Sequence, residues 1–127
     1  MKATLKNYHQ SPRKVRLVAD MIRGKSVPAA RAALHFLPKK SSPAISKLLD
    51  SAVANAGVSP ETLFVKSIAV NKGAVMRRYR PFARGRSGTL RKTMSIVTLE
   101  LGTNQGTGNR VQGSAKSKST KRVTPKP

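Results

Sequence analysis

The stretch Lys72-Gly73-Ala74-Val75-Met76-Arg77-Arg78-Tyr79-Arg80-Pro81-Phe82-Ala83-Arg84-Gly85-Arg86-Ser87-Gly88-Thr89-Leu90-Arg91-Lys92 carries eight bases and no acid. On either side lie runs rich in Val, Ile, Leu and Thr with partial period-two alternation, 63–70 and 94–101, which read as β-strands. Two strands joined by a basic connection containing Gly and Pro make a long β-hairpin. If pairing continues into the connection, the arm reaches roughly 30 to 40 Å beyond the strand bases, at about 3.3 Å per residue. An isolated two-stranded ribbon is marginal in water, and crowded like charges oppose its closure. The arm is therefore expected to take its order from a polyanion.

The rest of the composition agrees. With 127 residues the chain suits one domain. Its 26 Lys and Arg stand against 4 acids, a net charge of +22 that points to nucleic acid as the partner. An anionic membrane is the competing polyanion, but it calls for a basic amphipathic helix or a lipid anchor, and neither is evident. The chain has no cysteine, which excludes disulfides and thiolate metal sites. No apolar run is long enough for a transmembrane helix and no signal-peptide core follows Met1, so the expectation is a soluble intracellular chain.

Upstream of the hairpin, a mixed stretch over 3–8 reads as an edge strand, and three helices follow. Ser11 and Pro12 open the first, since Ser can cap exposed amides and Pro has none to satisfy; it is expected to run to Arg23 and stop at Gly24. Val15, Val18, Ala19 and Ile22 share one face, with Arg13, Arg16 and Arg23 beside Asp20 on the other, where phosphate contact is expected. The second helix starts after Ser26, with Pro28 in its first turn, and runs to Leu37. Its stripe is Ala30, Ala33, Leu34 and Leu37, and His35 is a surface or boundary residue. Ser42 and Pro43 open the third, whose apolar series Ile45, Leu48, Leu49, Ala52, Val53 and Ala56 makes it the main packing element. Gly57, Ser59 and Pro60 end it.

Catalysis finds little support. Asp20, Asp50, Glu61 and Glu100 are scattered, and His9 and His35 lack ligand spacing, so no catalytic, metal or cofactor site is expected. Asp50 reads as a partner for Lys47, three residues earlier. Gly85-Arg86-Ser87-Gly88 has the form of a backbone-clamping GXXG loop, but it lies between strands instead of helices, and two glycines allowing positive φ at a hairpin tip is the favoured reading. Tyr79 and Phe82 suit either stacking on bases or a contact across the hairpin.

The chain resembles a known family, ribosomal protein twenty-two of the large subunit in its bacterial form. The resemblance rests on Ser11-Pro12-Arg13-Lys14-Val15-Arg16-Leu17-Val18-Ala19-Asp20 with Ile22-Arg23-Gly24-Lys25, then Pro38-Lys39-Lys40, Leu48-Leu49, Ser51-Ala52, Ala54-Asn55-Ala56, and Arg80-Pro81 with Ala83-Arg84-Gly85-Arg86. These lie in the family's order across residues 3–101. Three positions depart from its pattern: Phe82 stands where a basic residue is usual, Ser95 where histidine is common, and Asn71 with Lys72 where an acidic pair is frequent.

The resemblance implies an α+β fold: three helices packed on a small three-stranded antiparallel sheet, with a long protruding basic hairpin. Residues 1–101 form this RNA-binding domain, with the arm at about 70–94. It further implies binding to large-subunit ribosomal RNA through Arg13, Lys14, Arg16, Arg23, Lys25, Lys39 and Lys40 of the body and Lys72, Arg77, Arg78, Arg80, Arg84, Arg86, Arg91 and Lys92 of the arm. The tip, Pro81, Phe82, Ala83, Arg84, Gly85, Arg86, Ser87 and Gly88, is expected at the peptide exit tunnel, near ribosomal protein four of the large subunit and the nascent peptide. A role in subunit assembly, a cytoplasmic location in the ribosome, and the absence of membrane attachment or homo-oligomerisation complete the expectation. Residues 102–127, rich in Gly, Ser, Thr and Lys, read as a basic tail, disordered until it meets an anion. The rival from another class is a dimeric DNA-bending protein with a basic β-arm.

Overall fold

A computed structural model describes residues 1–103. The expected tail thus lies outside the described residues from 104 onward, while Gly102 and Thr103 belong to the last strand. The element order is β1 (Lys2–Tyr8), α1 (Pro12–Ile22), α2 (Val27–Phe36), α3 (Ser42–Ala54), a 3-10 turn (Pro60–Thr62), β2 (Leu63–Pro81) and β3 (Ser87–Thr103). The sheet is antiparallel with order β1-β3-β2. Three helices on a three-stranded sheet, with a projecting hairpin, is the α+β fold expected from the resemblance.

Alternation explains which face of the sheet the helices cover. Val65 pairs with Leu101, Ile68 with Leu99 and Val70 with Val97, and all six are buried. Odd positions face inward before Lys66 and even positions after it, because a register shift between Val65 and Ser67 inserts one residue into β2. Without that bulge Ile68 and Val70 would turn to solvent. Val15, Val18, Ala19 and Ile22 from α1, Val27, Ala30 and Leu34 from α2, and Ile45, Leu48, Leu49 and Ala52 from α3 close the core over this face.

Local chemistry departs from expectation at the helix ends. Ser11 and Ser26 occupy the cap positions, yet neither side chain makes a cap bond. Their backbone carbonyls serve instead, accepting from Val15 N (3.3 Å) and Ala30 N (2.9 Å). The cap position of the third helix is Ser41, not Ser42, and its side chain also makes no cap bond; Ser42 is buried and donates its hydroxyl to the Leu34 carbonyl, tying α3 to the last turn of α2. Helices α1 and α2 each stop one residue earlier than the apolar pattern implied, at Ile22 and Phe36. Gly24 and Gly57, at φ +75° and +62°, supply the left-handed turns that follow α1 and α3.

Candidate nucleic-acid interface

Apart from one bulge at its root, the strand ladder continues from the body to Pro81 opposite Ser87, so the arm is a paired ribbon. Residues 71–81 of β2 lie beyond the body and extend about 36 Å at 3.3 Å per residue. At its root a second register shift, between Lys72 and Val75, places Gly73 and Ala74 opposite a single residue of β3. A side chain at Gly73 would meet Ile96 Cγ1 at 3.2 Å and the Met94 carbonyl oxygen at 3.4 Å. Bulges add twist and bend a strand, so this one sets the direction in which the arm leaves the sheet.

Register distributes the bases around the ribbon. Arg77 lies opposite Arg91 on one face; Met76 opposite Lys92, Arg78 opposite Leu90 and Arg80 opposite Gly88 alternate onto the other. Directly opposed arginines disfavour pairing, and among the described residues no ion pair relieves them: the Asp and Glu residues found in ion pairs there, Asp20, Asp50 and Glu100, are engaged by Arg23, Arg31 and Lys2 of the body. The arm therefore presents positive charge on both faces and at its tip.

The tip is a five-residue loop, 82–86, closed by a hydrogen bond from Phe82 N to the Arg86 carbonyl at 2.8 Å. Arg84 and Gly85 turn the chain at φ +58° and +66°. Gly88 does not share this role: it has no positive φ, and its missing Cβ makes room for the Phe82 ring, whose Cε2 lies 2.3 Å from where that Cβ would stand. The expected pair of positive-φ glycines is therefore a single one, joined by an arginine. Phe82 makes the contact across the hairpin, while Tyr79, opposite Thr89 and 71 % exposed, leaves its ring open.

The body adds bases around the arm's root. Tyr8, at the end of β1, pairs with Ser95, which also pairs with Lys72. The Tyr8 hydroxyl donates to the Lys40 carbonyl at 3.1 Å, which brings the α2–α3 turn with Lys39 and Lys40 to the same end of the sheet. Burial pushes the Tyr8 hydroxyl above its ordinary pKa. Ser95, the departure from the family's histidine, is fully buried and donates its hydroxyl to the Gln10 carbonyl, closing the loop that leads into α1. Arg13 and Lys14 stand exposed in the first turns of α1.

Arg16 and Arg23 are not on the face opposite the core. At about 100° per residue they lie roughly 80–100° from its centre, close enough to reach the outer edge of β2. The Arg16 guanidinium donates through Nε (3.1 Å) and Nη2 (3.0 Å) to the Val70 carbonyl. Arg23 donates through Nη2 to the Ile68 carbonyl (3.3 Å) and pairs with Asp20 at 3.0 Å. Lower on the same edge, Gly24 N donates to Val65 O (3.0 Å) and Val65 N to Lys25 O (2.9 Å). The polar edge of β2 is thus covered up to the point where the arm departs.

Arg16→Met is expected to lower stability by about 1 kcal/mol, the typical net worth of such a bond, and to speed amide exchange over 69–72 while the helical amides stay protected. Arg16→Lys, which keeps the charge but not the two-point geometry, should recover only part of the protection. Exchange at 69–72 equal to wild type in both variants would show that the contact does not secure the arm.

Two further features escaped the sequence. Asp50 pairs with Arg31 of α2 (Nε 2.9 Å), not with Lys47 on its own helix, because α2 and α3 pack closely enough to place a guanidinium fork on the carboxylate. Phe36 is 82 % exposed. Its position two residues beyond Leu34, about 200° round the helix, was the available signal that it falls outside the buried stripe.

Comparison with known proteins gives a concordant result. The family model described as Ribosomal protein L22p/L17e matches residues 3–102. Large ribosomal subunit protein uL22 of Neorickettsia sennetsu is 48% identical over 110 residues, covering 84% of this chain and 97% of that protein. Its namesake in Herpetosiphon aurantiacus is 48% identical over 102 residues, 77% of this chain and 90% of the relative. That of Mesoplasma florum is 50% identical over 102 residues, with 77% and 91% covered. With the match spanning β1 to the end of β3, the chain belongs to the ribosomal protein L22p/L17e family, a family of structural proteins of the large ribosomal subunit.

Proposed function

We propose that this protein, a structural constituent of the large ribosomal subunit and so cytoplasmic within the ribosome, binds large-subunit ribosomal RNA chiefly through its arm. The observation that carries the reading is the placement of bases on both faces of the ribbon and at its tip, with no acid from Lys72 to Lys92. A protein that lies on a nucleic-acid surface needs charge on one side only. Charge all round suits a ribbon threaded between RNA segments, where Lys and Arg replace counterions. Because such a ribbon touches segments distant in RNA sequence, it couples their folding during subunit assembly. With the ribbon paired to its tip, RNA phosphates neutralise its opposed arginines and favour this paired form.

In the subunit the tip lines the peptide exit tunnel, with ribosomal protein four of the large subunit beside it and the nascent peptide within reach. Arg13, Lys14, Lys39, Lys40 and Lys72 around the root contact phosphate where the arm enters RNA. Arg16, with two guanidinium nitrogens on the Val70 carbonyl, keeps the third for phosphate.

The test is binding of the full-length chain to large-subunit ribosomal RNA, duplex DNA and anionic vesicles at matched salt. A monomer that prefers the folded RNA and co-sediments with large subunits through high salt is the expected result. A dimer with equal or greater affinity for duplex DNA would favour a DNA-bending protein instead, and vesicle binding that RNA does not compete away would favour a membrane-active one.

A further inference from the structure

Phe36 is the most exposed large apolar side chain of the described residues, at 82 %, and nothing in the fold uses it. Leu34, two residues earlier, is buried in the core; Leu37, one residue later, is packed against it. Phe36 ends α2 and points the other way. Its neighbour His35 stands perpendicular to it, with ring centroids 5.3 Å apart at 86°, an edge contact that with the high exposure leaves a ring face open. At 82 % exposure the ring is open to a partner of matching shape.

The surroundings identify the partner. Lys39 and Lys40 follow within four residues, both exposed, on a turn that is held from several sides. Lys39 N donates to the Leu37 carbonyl (2.8 Å), Ser42 N to the Lys39 carbonyl (2.9 Å), the Tyr8 hydroxyl to the Lys40 carbonyl (3.1 Å), and the Ser42 hydroxyl to the Leu34 carbonyl. The turn is therefore rigid, and it sits at the end of the sheet from which the arm projects. Neither lysine takes part in the ion pairs found among the described residues, so both ammonium groups are available to an outside anion. An open ring followed within four residues by two exposed lysines on a held backbone turn matches one unpaired nucleobase with its adjoining phosphates. An apolar protein partner would match the ring but not the lysines.

We propose that Phe36 is a stacking platform for a single unpaired base of the bound RNA, with Lys39 and Lys40 on the flanking phosphates. The inference rests on the RNA-binding reading above and adds a second anchoring point on the body, at the end of the sheet from which the arm projects.

The chain contains no tryptophan, so Phe36→Trp places a single reporter at the platform. Full-length chains are titrated with a large-subunit ribosomal RNA transcript. Phe36→Trp should bind within a few-fold of wild type, with its emission quenched by the stacked base. Phe36→Leu should keep its melting temperature, because the side chain is exposed, and lose on the order of tenfold in affinity with an unchanged salt slope, because no phosphate contact is removed. Wild-type affinity in Phe36→Leu, or tryptophan emission that shifts to the blue without quenching, as an apolar protein surface would cause, overturns the inference while leaving RNA binding intact. Failure of the wild type itself to bind the transcript overturns the RNA-binding reading, and the platform falls with it.

Discussion

Replacement of residues 76–92 by a two-residue Asn-Gly turn is expected to leave the body folded and to remove most of the affinity for large-subunit ribosomal RNA. The fold should survive because none of residues 76–92 is buried, the nearest buried apolar side chains being Val70 and Met94. The new turn is also compatible with the ladder: Val75 and Thr93 are direct partners, and Asn-Gly closes a two-residue hairpin. The affinity should collapse because the excised segment holds Arg77, Arg78, Arg80, Arg84, Arg86, Arg91 and Lys92. If each meets one phosphate, the log-log salt slope falls by about 5 to 6, and affinity near physiological salt drops on the order of a thousandfold or more. Titrations at several salt concentrations give both quantities. A variant with wild-type affinity and slope would mean that the body, not the arm, is the anchor.

The same charge that makes the arm effective in RNA made it legible. A run without acids between two apolar alternating segments needs no tertiary information to read, and the pairing from 63–70 against 94–101 extended through it as the simplest outcome. Helices were equally plain, since Ile45, Leu48, Leu49 and Ala52 recur at helical spacing and all are buried. What the residues did not disclose depends on contacts between elements. The two bulges in β2 have no local marker except Gly73. The use of Arg16 and Arg23 to cap carbonyls at Val70 and Ile68 follows from how α1 lies along the edge of β2. Asp50 chose Arg31 over the nearer Lys47 in sequence because helix packing, not spacing, brought the guanidinium close. Phe36 was readable only by asking which apolar residue fails to fit the stripe.

Stability and RNA affinity should come apart in the opposite direction when the core is cut. Leu49 of α3 is fully buried among residues of all three helices and the sheet, and Leu49→Ala is expected to cost about 3 kcal/mol through lost transfer free energy and the cavity left behind. For a domain of this size that is a large part of the total, and the melting temperature should fall by more than about 10 °C. The arm is untouched, so each folded molecule keeps its phosphate contacts, and apparent affinity weakens only by the fraction unfolded. Saturating RNA should in turn raise the variant's melting temperature, because RNA binds the folded chain and not the unfolded one. Paired with the arm replacement, this gives a crossed result: one variant keeps its stability and loses affinity, the other loses stability and keeps affinity wherever it is still folded. Calorimetry and titration on both chains decide it. If Leu49→Ala, at a temperature where it is fully folded, lost affinity as severely as the arm replacement does, the body would be shaping the RNA contacts directly and could not be regarded as a mount for the ribbon.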